Sequence, residues 1–387
     1  MYKDQCGRFV KFVQELYNTT EPLPLHAPQF RGNEKKYLLE AINSTFVSSV
    51  GEFVDQFEQK IAEYTGAEYA IATVNGTAAL HIALKLASVE PNSEVITQSL
   101  AFVATCNAIR YCRAKPLFVD VDKNTLGLSV DSLAEFLQKN TEIRDDGFCW
   151  NRATNRKISA CLPIHTFGFP VELDKIKELC DCYNITLVED AAESLGSFYR
   201  KKHTGTVGKL AVLSFNGNKI ITTGGGGMIL TNDEQLAKRA KHLTTTAKIP
   251  HQWEFDHDEI GYNYRLPNLN AALGVAQMEL LPEYLKSKRE LAHQYQEWGE
   301  EYGVEFVRES ANTKANYWLN VAITQGIKQR DEFLKETNNS NIMTRPAWRP
   351  MHKLAINQDC QFTNMRNTEW LADRIINVPS SPTTKIK

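Results

Sequence analysis

The chain lacks an excess of charge of either sign: 44 Lys and Arg against 46 Asp and Glu leave a formal net charge of −2. That balance gives no footing for nucleic acid, and there is no basic stripe with interleaved aromatics. No apolar run approaches the roughly 18 residues that a membrane span needs, so no membrane partner is expected. The opening stretch, Met1 to Tyr17, alternates charges without a clean apolar segment and is not read as a secretory signal. Its Phe9, Phe12, Val13 and Leu16 share one helical face, which predicts an amphipathic helix that caps the fold or meets a partner. Eight cysteines are present, but none falls in a CxxC pair, which weakens zinc and thioredoxin-like readings. Core thiols of a protein in the reducing cytoplasm are expected instead, with Cys161 in a buried strand and Cys180 and Cys182 on different faces of a helix end. His251 and His257 stand beside acids at a spacing that matches no helical ligand pair, and no metal is expected. The chain has no repeat of 20–50 residues, no Walker loop and no GxGxxG.

What the chain has is length and rhythm. Its 387 residues, 42% hydrophobic and 23% charged, are ordinary for a globular protein and suggest two domains, or one large domain with a smaller one attached. From about 67 to 232, short apolar runs alternate with helical spacing. Strands are expected at Glu68–Val74, Glu94–Thr97, Pro116–Asp120, Ile158–Ile164, Ile185–Glu189, Leu210–Phe215 and Met228–Thr231, with helices at Thr77–Ser88, Phe102–Tyr111 and Leu173–Tyr183. Continuous apolar strands between helices argue for a mostly parallel sheet covered on both faces. Asn140 to Lys157 breaks the rhythm and reads as a surface insertion or long loop around Asp145-Asp146-Gly147. Thr244 to Glu259 is similar. Beyond Pro267 a strong helix is expected over Leu269–Leu281, bending at Pro282 into a second one that reaches Tyr302. A strand at Tyr317–Thr324 and helices at Gln329–Glu336 and Trp370–Ile375 complete an α/β C-terminal part. The division expected is an N-terminal extension over 1–25, a large domain over 26–265 and a small domain over 266–387 with the linking long helices.

Three segments carry chemistry. Lys219 comes after an apolar run and precedes four glycines, Gly224 to Gly227. A lysine held in an uncrowded turn can form a Schiff base with a carbonyl cofactor such as pyridoxal phosphate; a solvated surface charge beside a flexible turn is the plain alternative. Val74-Asn75-Gly76-Thr77 ends a strand and opens a helix, whose free N–H groups attract a phosphate, with the Thr77 hydroxyl as a further donor. Thr77 could also simply cap that helix. Leu187-Val188-Glu189-Asp190 runs into an acid at the C-terminal end of a parallel strand, where open α/β sheets place their ligands. A carboxylate there could keep a pyridine nitrogen protonated, or merely cap a helix. Ser214 could give the phosphate a second hydroxyl, and Phe102 could stack on a ring face or belong to the core.

With these residues in hand, the chain resembles the pyridoxal-phosphate-dependent sugar aminotransferases of the DegT/DnrJ/EryC1/StrS family over roughly residues 24 to 382. The carrying motifs are Asn75-Gly76-Thr77-Ala78-Ala79-Leu80, Glu189-Asp190-Ala191-Ala192-Glu193-Ser194, Ser214-Phe215-Asn216-Gly217-Asn218-Lys219 and Gly261-Tyr262-Asn263-Tyr264-Arg265. The resemblance implies a fold-type-I transferase and a homodimer with shared active sites. It makes Lys219 the Schiff-base lysine and proton shuttle, with Asp190 on the ring nitrogen and Gly76, Thr77 and Ser214 on the phosphate. Asn263 would reach the partner subunit's site. Glu193 would meet the cofactor's phenolic oxygen, where many relatives carry glutamine and two negative groups would have to share a proton. Lys219 also favours amino transfer over the dehydratases of the family, which carry histidine there.

The resemblance further implies L-glutamate as donor and a nucleotide-linked 4-keto-6-deoxy sugar as acceptor. The stretch SFNGNKIITTGGGG and the run Trp348-Arg349-Pro350-Met351-His352-Lys353 look most like the branch acting on UDP-linked 4-keto-6-deoxy-N-acetylhexosamines in bacillosamine or legionaminic acid synthesis. The alternatives are a GDP-linked 4-keto-6-deoxymannose, a dTDP-linked keto-sugar, or a non-catalytic regulator that binds the cofactor. For the sugar side, Val47, Ser48, His165, Arg349 and His352 are the candidates. Arg349 suits a diphosphate, or is a solvated arginine; His352 and His165 could equally be packed structural histidines.

Overall fold

The architecture is known from a computed structural model that describes residues 2–383, with side chains described from residue 5. Seven strands make the core of the main sheet: β1 (Tyr69–Thr73), β2 (Glu94–Gln98), β3 (Lys115–Val119), β4 (Arg156–Leu162), β5 (Thr186–Asp190), β6 (Leu210–Ser214) and β7 (Gly227–Thr231). They lie in the order β1-β7-β6-β5-β4-β2-β3. Neighbours from β6 to β3 pair in parallel, and β7 runs against both β1 and β6. The parallel strands are buried along nearly their whole length, as expected of a sheet with helices on both faces. On one face α4 (Gly76–Leu86), α5 (Val103–Tyr111) and α8 (Glu234–Thr244) contribute Leu80, Ile109 and Leu243 to one core. On the other, α3 (Glu52–Thr65) and the first half of a long helix contribute Phe57, Val275 and Leu281. Further along, α6 (Val130–Asn140) and α7 (Leu173–Cys182) close over β2 to β5.

The element pattern agrees with the sequence, and three segments depart from it. The long helix, α9, runs unbroken from Asn268 to Tyr302 through Pro282. A proline inside a helix costs about 3 kcal/mol, but α9 buries Leu281 and Tyr284 in one core and Leu291, Tyr295 and Trp298 in another. Each buried leucine alone returns roughly 1.5–3 kcal/mol, so packing on both sides outweighs the lost hydrogen bond. Residues 140–157 form a β-hairpin rather than a loop: Thr141–Ile143 pairs antiparallel with Cys149–Asn151, which pairs in turn with the start of β4. Asp145-Asp146-Gly147 is its turn, with Gly147 at φ 78°. Its polar composition hid an alternation in which Cys149 and Asn151 point inward. Lastly, the helix expected over Trp370–Ile375 is α11, Arg366–Ala372, and Ile375–Val378 is a buried strand, as its β-branched residues favour. That strand sits in a second sheet, flanked by Asn320–Ile323 and Arg345–Pro346, with Glu305–Phe306 at the far edge.

The N-terminal helix α1 (Tyr2–Tyr17) and α10 (Ile327–Asn339) pack against the far half of α9. Phe9 and Val13 are fully buried, while Phe12 and Leu16 flank them. The Phe9 ring meets Tyr295, Trp298 and Phe333 at centroid distances of 6.1, 5.2 and 4.9 Å. All eight cysteines are free thiols; Cys180 is buried and Cys182 exposed, on opposite sides of the end of α7. No helix among the described residues is long and apolar enough to cross a membrane.

Phe9→Ala should lower the unfolding free energy by about 3–5 kcal/mol, the usual cost of emptying a buried aromatic site, as measured by urea denaturation. A loss below about 1 kcal/mol would mean that α1 does not belong to the fold's core.

Candidate active site

The C-terminal ends of β1, β2, β4, β5 and β6 open into one cavity of about 330 Å³. Such ends are where parallel sheets present unpaired backbone and ligand-binding side chains. Gly76, Thr77, Phe102 and Ser214 line it, together with Asp190, Glu193 and Lys219. Those residues come from separate segments between Gly76 and Lys219, and the sheet order places them side by side.

The helix N-terminus is built by exclusion. Asn75, extended at φ −166°, caps α4 by accepting the Ala78 N–H at 2.8 Å. Asn75, not Thr77, is therefore the cap, which leaves the Thr77 hydroxyl and the first N–H groups of the helix for a ligand. Gly227 pairs with Thr73 on one side and Ser214 on the other. A Cβ on Gly227 would lie 2.5 Å from the Asn75 carbonyl and 2.7 Å from the Gly76 nitrogen. The fourth glycine of the run thus lets β7 slide under the start of α4. What this glycine makes room for is backbone. Gly76 needs its bareness as well, since a Cβ there would meet Ser214 Cβ at 3.0 Å and its hydroxyl at 3.1 Å.

Asp190 ends β5. One carboxylate oxygen accepts the Thr105 hydroxyl at 2.7 Å and the other the Ala192 N–H at 3.2 Å. Burial raises its pKa, and those two donors together with the Lys219 charge work against the rise. A carboxylate can accept about four hydrogen bonds, so acceptor capacity remains for a ligand donor. Lys219 is nearly buried, with 13% of its side chain exposed. Its Nζ lies 3.5 Å from Glu193 Oε1 and 3.7 Å from the centre of the Trp318 ring. Burial lowers the lysine's pKa, and Glu193 and Asp190 hold it back. Glu193 shows the converse: burial raises its pKa against the pull of Lys219. At 3.5 Å the contact is long for a hydrogen bond, so the amine is held by charge and by the indole face and is left free to move. Trp318 is itself fixed, its indole N–H donating to the Asn218 carbonyl at 2.6 Å.

Six sequence candidates lie elsewhere. His165 is fully buried, with Nε2 3.1 Å from Glu189 Oε2 and Nδ1 accepting the Val171 N–H at 3.3 Å. Both ring nitrogens are used, so His165 is a structural histidine. Glu189 also accepts from the N–H groups of Gly205, Val207 and Gly208. Burial pushes its pKa up, but His165 and these N–H groups win and hold it low. His352 is likewise structural: its Nδ1 lies 2.7 Å from the Ser99 hydroxyl and its Nε2 3.4 Å from Glu369. Arg349 is exposed beside Trp348, which does line the cavity. Val47, Ser48 and Asn263 are exposed as well and line no part of this chain's cavity. Asn268 anchors the loop that carries Val47 and Ser48, donating to the Phe46 carbonyl at 2.7 Å and accepting the Phe53 N–H at 3.1 Å. Sequence reasoning missed Thr105, which sits three residues after Phe102 in a helix it had placed, and Trp318, which no local signal could connect to Lys219.

A phosphate seat at a helix N-terminus, a buried carboxylate and a buried amine define a class. The donor set fits pyridoxal phosphate: N–H and hydroxyl donors for the phosphate, an acceptor for the pyridinium N–H, and a poorly solvated lysine for the aldehyde. The DegT/DnrJ/EryC1/StrS aminotransferase family profile matches residues 28–386, and the chain belongs to that family. Among curated proteins it is similar to GDP-perosamine synthase of Escherichia coli O157:H7, 36% identical over 360 residues that cover 93% of each chain. It is also similar to GDP-perosamine synthase of Vibrio cholerae, 32% identical over 363 residues, with 93% of this chain and 94% of the relative covered. Among solved structures, the aminotransferase TlmJ from Streptoalloteichus hindustanus superposes with a TM-score of 0.83 at 26% identity, covering 93% of both chains. The helix α1 lies before the matched segment.

Gly227→Ala should displace the start of α4 and weaken binding of pyridoxal phosphate by about tenfold or more, since phosphate contacts at a helix N-terminus depend on placement. Titration of the apoprotein checks this; an unchanged dissociation constant would contradict the geometry.

Proposed function

We propose that the protein is a pyridoxal-phosphate-dependent aminotransferase that carries an amino group from L-glutamate to C4 of a GDP-linked 4-keto-6-deoxy sugar, a GDP-4-keto-6-deoxymannose type. The observation that carries the amino-transfer part is the convergence of Lys219, Asp190 and the 76–77 helix N-terminus on one cavity. The nucleotide rests on the relatives: those named for a product make a GDP-linked one. They favour the GDP-linked alternative over the UDP-linked bacillosamine and legionaminic branch that the motifs around Lys219 and Trp348 resemble.

The cofactor, when bound, supplies an electron sink for the carbon that loses its proton. Gly76, Thr77 and Ser214 hold the phosphate, and Asp190 keeps the ring nitrogen protonated, with Thr105 fixing its carboxylate. Lys219 is the covalent anchor. With the amino donor in the site, Lys219 Nζ would take the proton from the amino-acid carbon and deliver it to the cofactor carbon that receives the amine. A neutral amine is required for that, and burial favours one. Glu193 Oε1, at 3.5 Å, keeps the amine close to the reacting carbon and accepts its charge when it is protonated. Phe102 and Trp348 flank the entrance, with ring centres 6.0 Å apart, and shield the reacting carbons from water.

A homodimer completes the site. Phe46, Val47 and Val50 are exposed, as are Trp253, Phe255 and Ile260. Apolar loops of this kind mark an interaction surface, and a second copy covering them would bring Val47, Ser48 and Asn263 to the partner's cavity. Arg349, exposed beside Trp348, would meet the diphosphate, which a guanidinium suits. The free thiols suit the cytoplasm, where sugar nucleotides are made and used.

Lys219→Ala should cut kcat by about 10²–10⁴-fold, the usual contribution of a positioned acid–base group, and abolish the covalent link. Full retained activity would sink the mechanism. For the substrate, the protein with glutamate is offered GDP-, UDP- and dTDP-linked 4-keto-6-deoxy sugars, and the aminated product is identified by mass and NMR. The GDP-sugar should win by about tenfold or more in kcat/KM. Preference for a UDP-sugar would return the reading to the other branch, and no product from any sugar would overturn it.

A further inference from the structure

Phe167 holds a backbone conformation that its side chain disfavours. Its φ of 56° and ψ of 14° put a bulky residue in the left-handed region, where Cβ crowds the next carbonyl. Gly168 comes next at φ 96°, and a Cβ there would lie 1.8 Å from Asn316 Oδ1. The surroundings leave this turn no alternative. The His165 N–H donates to the Asp190 carbonyl at 3.2 Å, the Gly168 N–H to the His165 carbonyl at 3.1 Å, and the Ser197 hydroxyl to the Gly168 carbonyl at 2.7 Å. Strain held in place by so many contacts is a pointer to function.

What the turn delivers is visible on both sides of Lys219. The Phe167 N–H donates to Glu193 Oε2 at 2.8 Å, while Glu193 Oε1 faces Lys219. The Phe167 ring stacks on Trp348 at 4.9 Å and 29°, and lies 6.5 Å from Trp318, the ring under the lysine amine. With an ordinary φ the N–H and the ring of one residue could not face Glu193 and Trp348 together, and either a buried carboxyl oxygen would lose its donor or the tryptophan its brace.

We propose that Phe167 is a positioning residue for the Glu193–Lys219 pair: its left-handed backbone lets one residue give its N–H to Glu193 while its ring braces the two tryptophans around the lysine amine. This rests on the amino-transfer reading above. Loss of the N–H favours the protonated acid, which no longer draws the lysine's charge. The other titratable groups that feel the pair are Asp190 and the buried His26.

The test is a pH titration of the holoenzyme's visible cofactor absorbance in the wild type, Phe167→Gly, Phe167→Val and Glu193→Gln. Glycine keeps the turn and drops the ring; valine, β-branched, is driven out of the left-handed region. Phe167→Val should move the midpoint by about one pH unit or more in the direction Glu193→Gln moves it, and Phe167→Gly by less than half of that. In the glutamate half-reaction Phe167→Val should lower kcat about tenfold or more while KM stays within about threefold. Equal midpoints for the glycine and valine variants, or a wild-type midpoint in Phe167→Val, would overturn the proposal. If Phe167→Val does not fold, the cycle of Phe167→Ala with Glu193→Gln takes its place: non-additivity of about fivefold or more in kcat is expected, and additive effects overturn it. The titration does not involve the sugar, so a wrong sugar leaves it readable, whereas a wild type with no visible cofactor absorbance overturns both readings.

Discussion

Everything in the site depends on keeping three ionisable groups, Lys219, Asp190 and Glu193, in a cavity that water hardly reaches. Isolated charges in such a place are too costly to persist. Here two acids and one amine lie close enough to compensate one another, and each acid is also tied to fixed donors: Thr105 and Ala192 for Asp190, Phe167 for Glu193. Burial still pushes all three toward their neutral forms. A lysine whose pKa burial lowers, held in place by neighbouring acids, suits proton transfer at a carbon.

The fold supplies that arrangement through backbone rather than through a specialised loop. The strand order sets the ends of β5, β6 and β1 in a row, with β7 inserted between the last two. Gly227 makes the insertion possible, because no side chain could stand between Asn75 and the strand. The second sheet then contributes Trp318 and, through the segment before Met351, Trp348. Both lean on Phe167, so the left-handed turn after β4 couples the acid on one side of the cavity to the aromatic wall on the other.

The sequence was most legible where the physics is local. Apolar strands and the helices between them are set by periodicity, and Lys219, Asp190 and Gly76 are recognised by their places at or just beyond the end of a strand. It was least legible where tertiary contact decides. Pro282 was expected to bend one helix into a second, and packing of α9 on both sides kept it a single helix. His165 and His352 looked available for a substrate until their partners, Glu189 and Ser99, were seen to occupy them. Trp318 approaches Lys219 from a hundred residues away, and nothing in its own neighbourhood announces it. The motif resemblance identified the family but pointed to a UDP-linked sugar, whereas the relatives named for a product are GDP-perosamine synthases; exposed loops such as the one at Arg349 offer no regular pattern to interpret.

The central claim is that Lys219, and no other lysine, forms the covalent bond with pyridoxal phosphate. Reconstituting the protein with the cofactor, reducing the linkage with borohydride and mapping the labelled peptide would test it most directly. A single label on Lys219 is expected. A label on any other lysine, the fully buried Lys288 included, would contradict it.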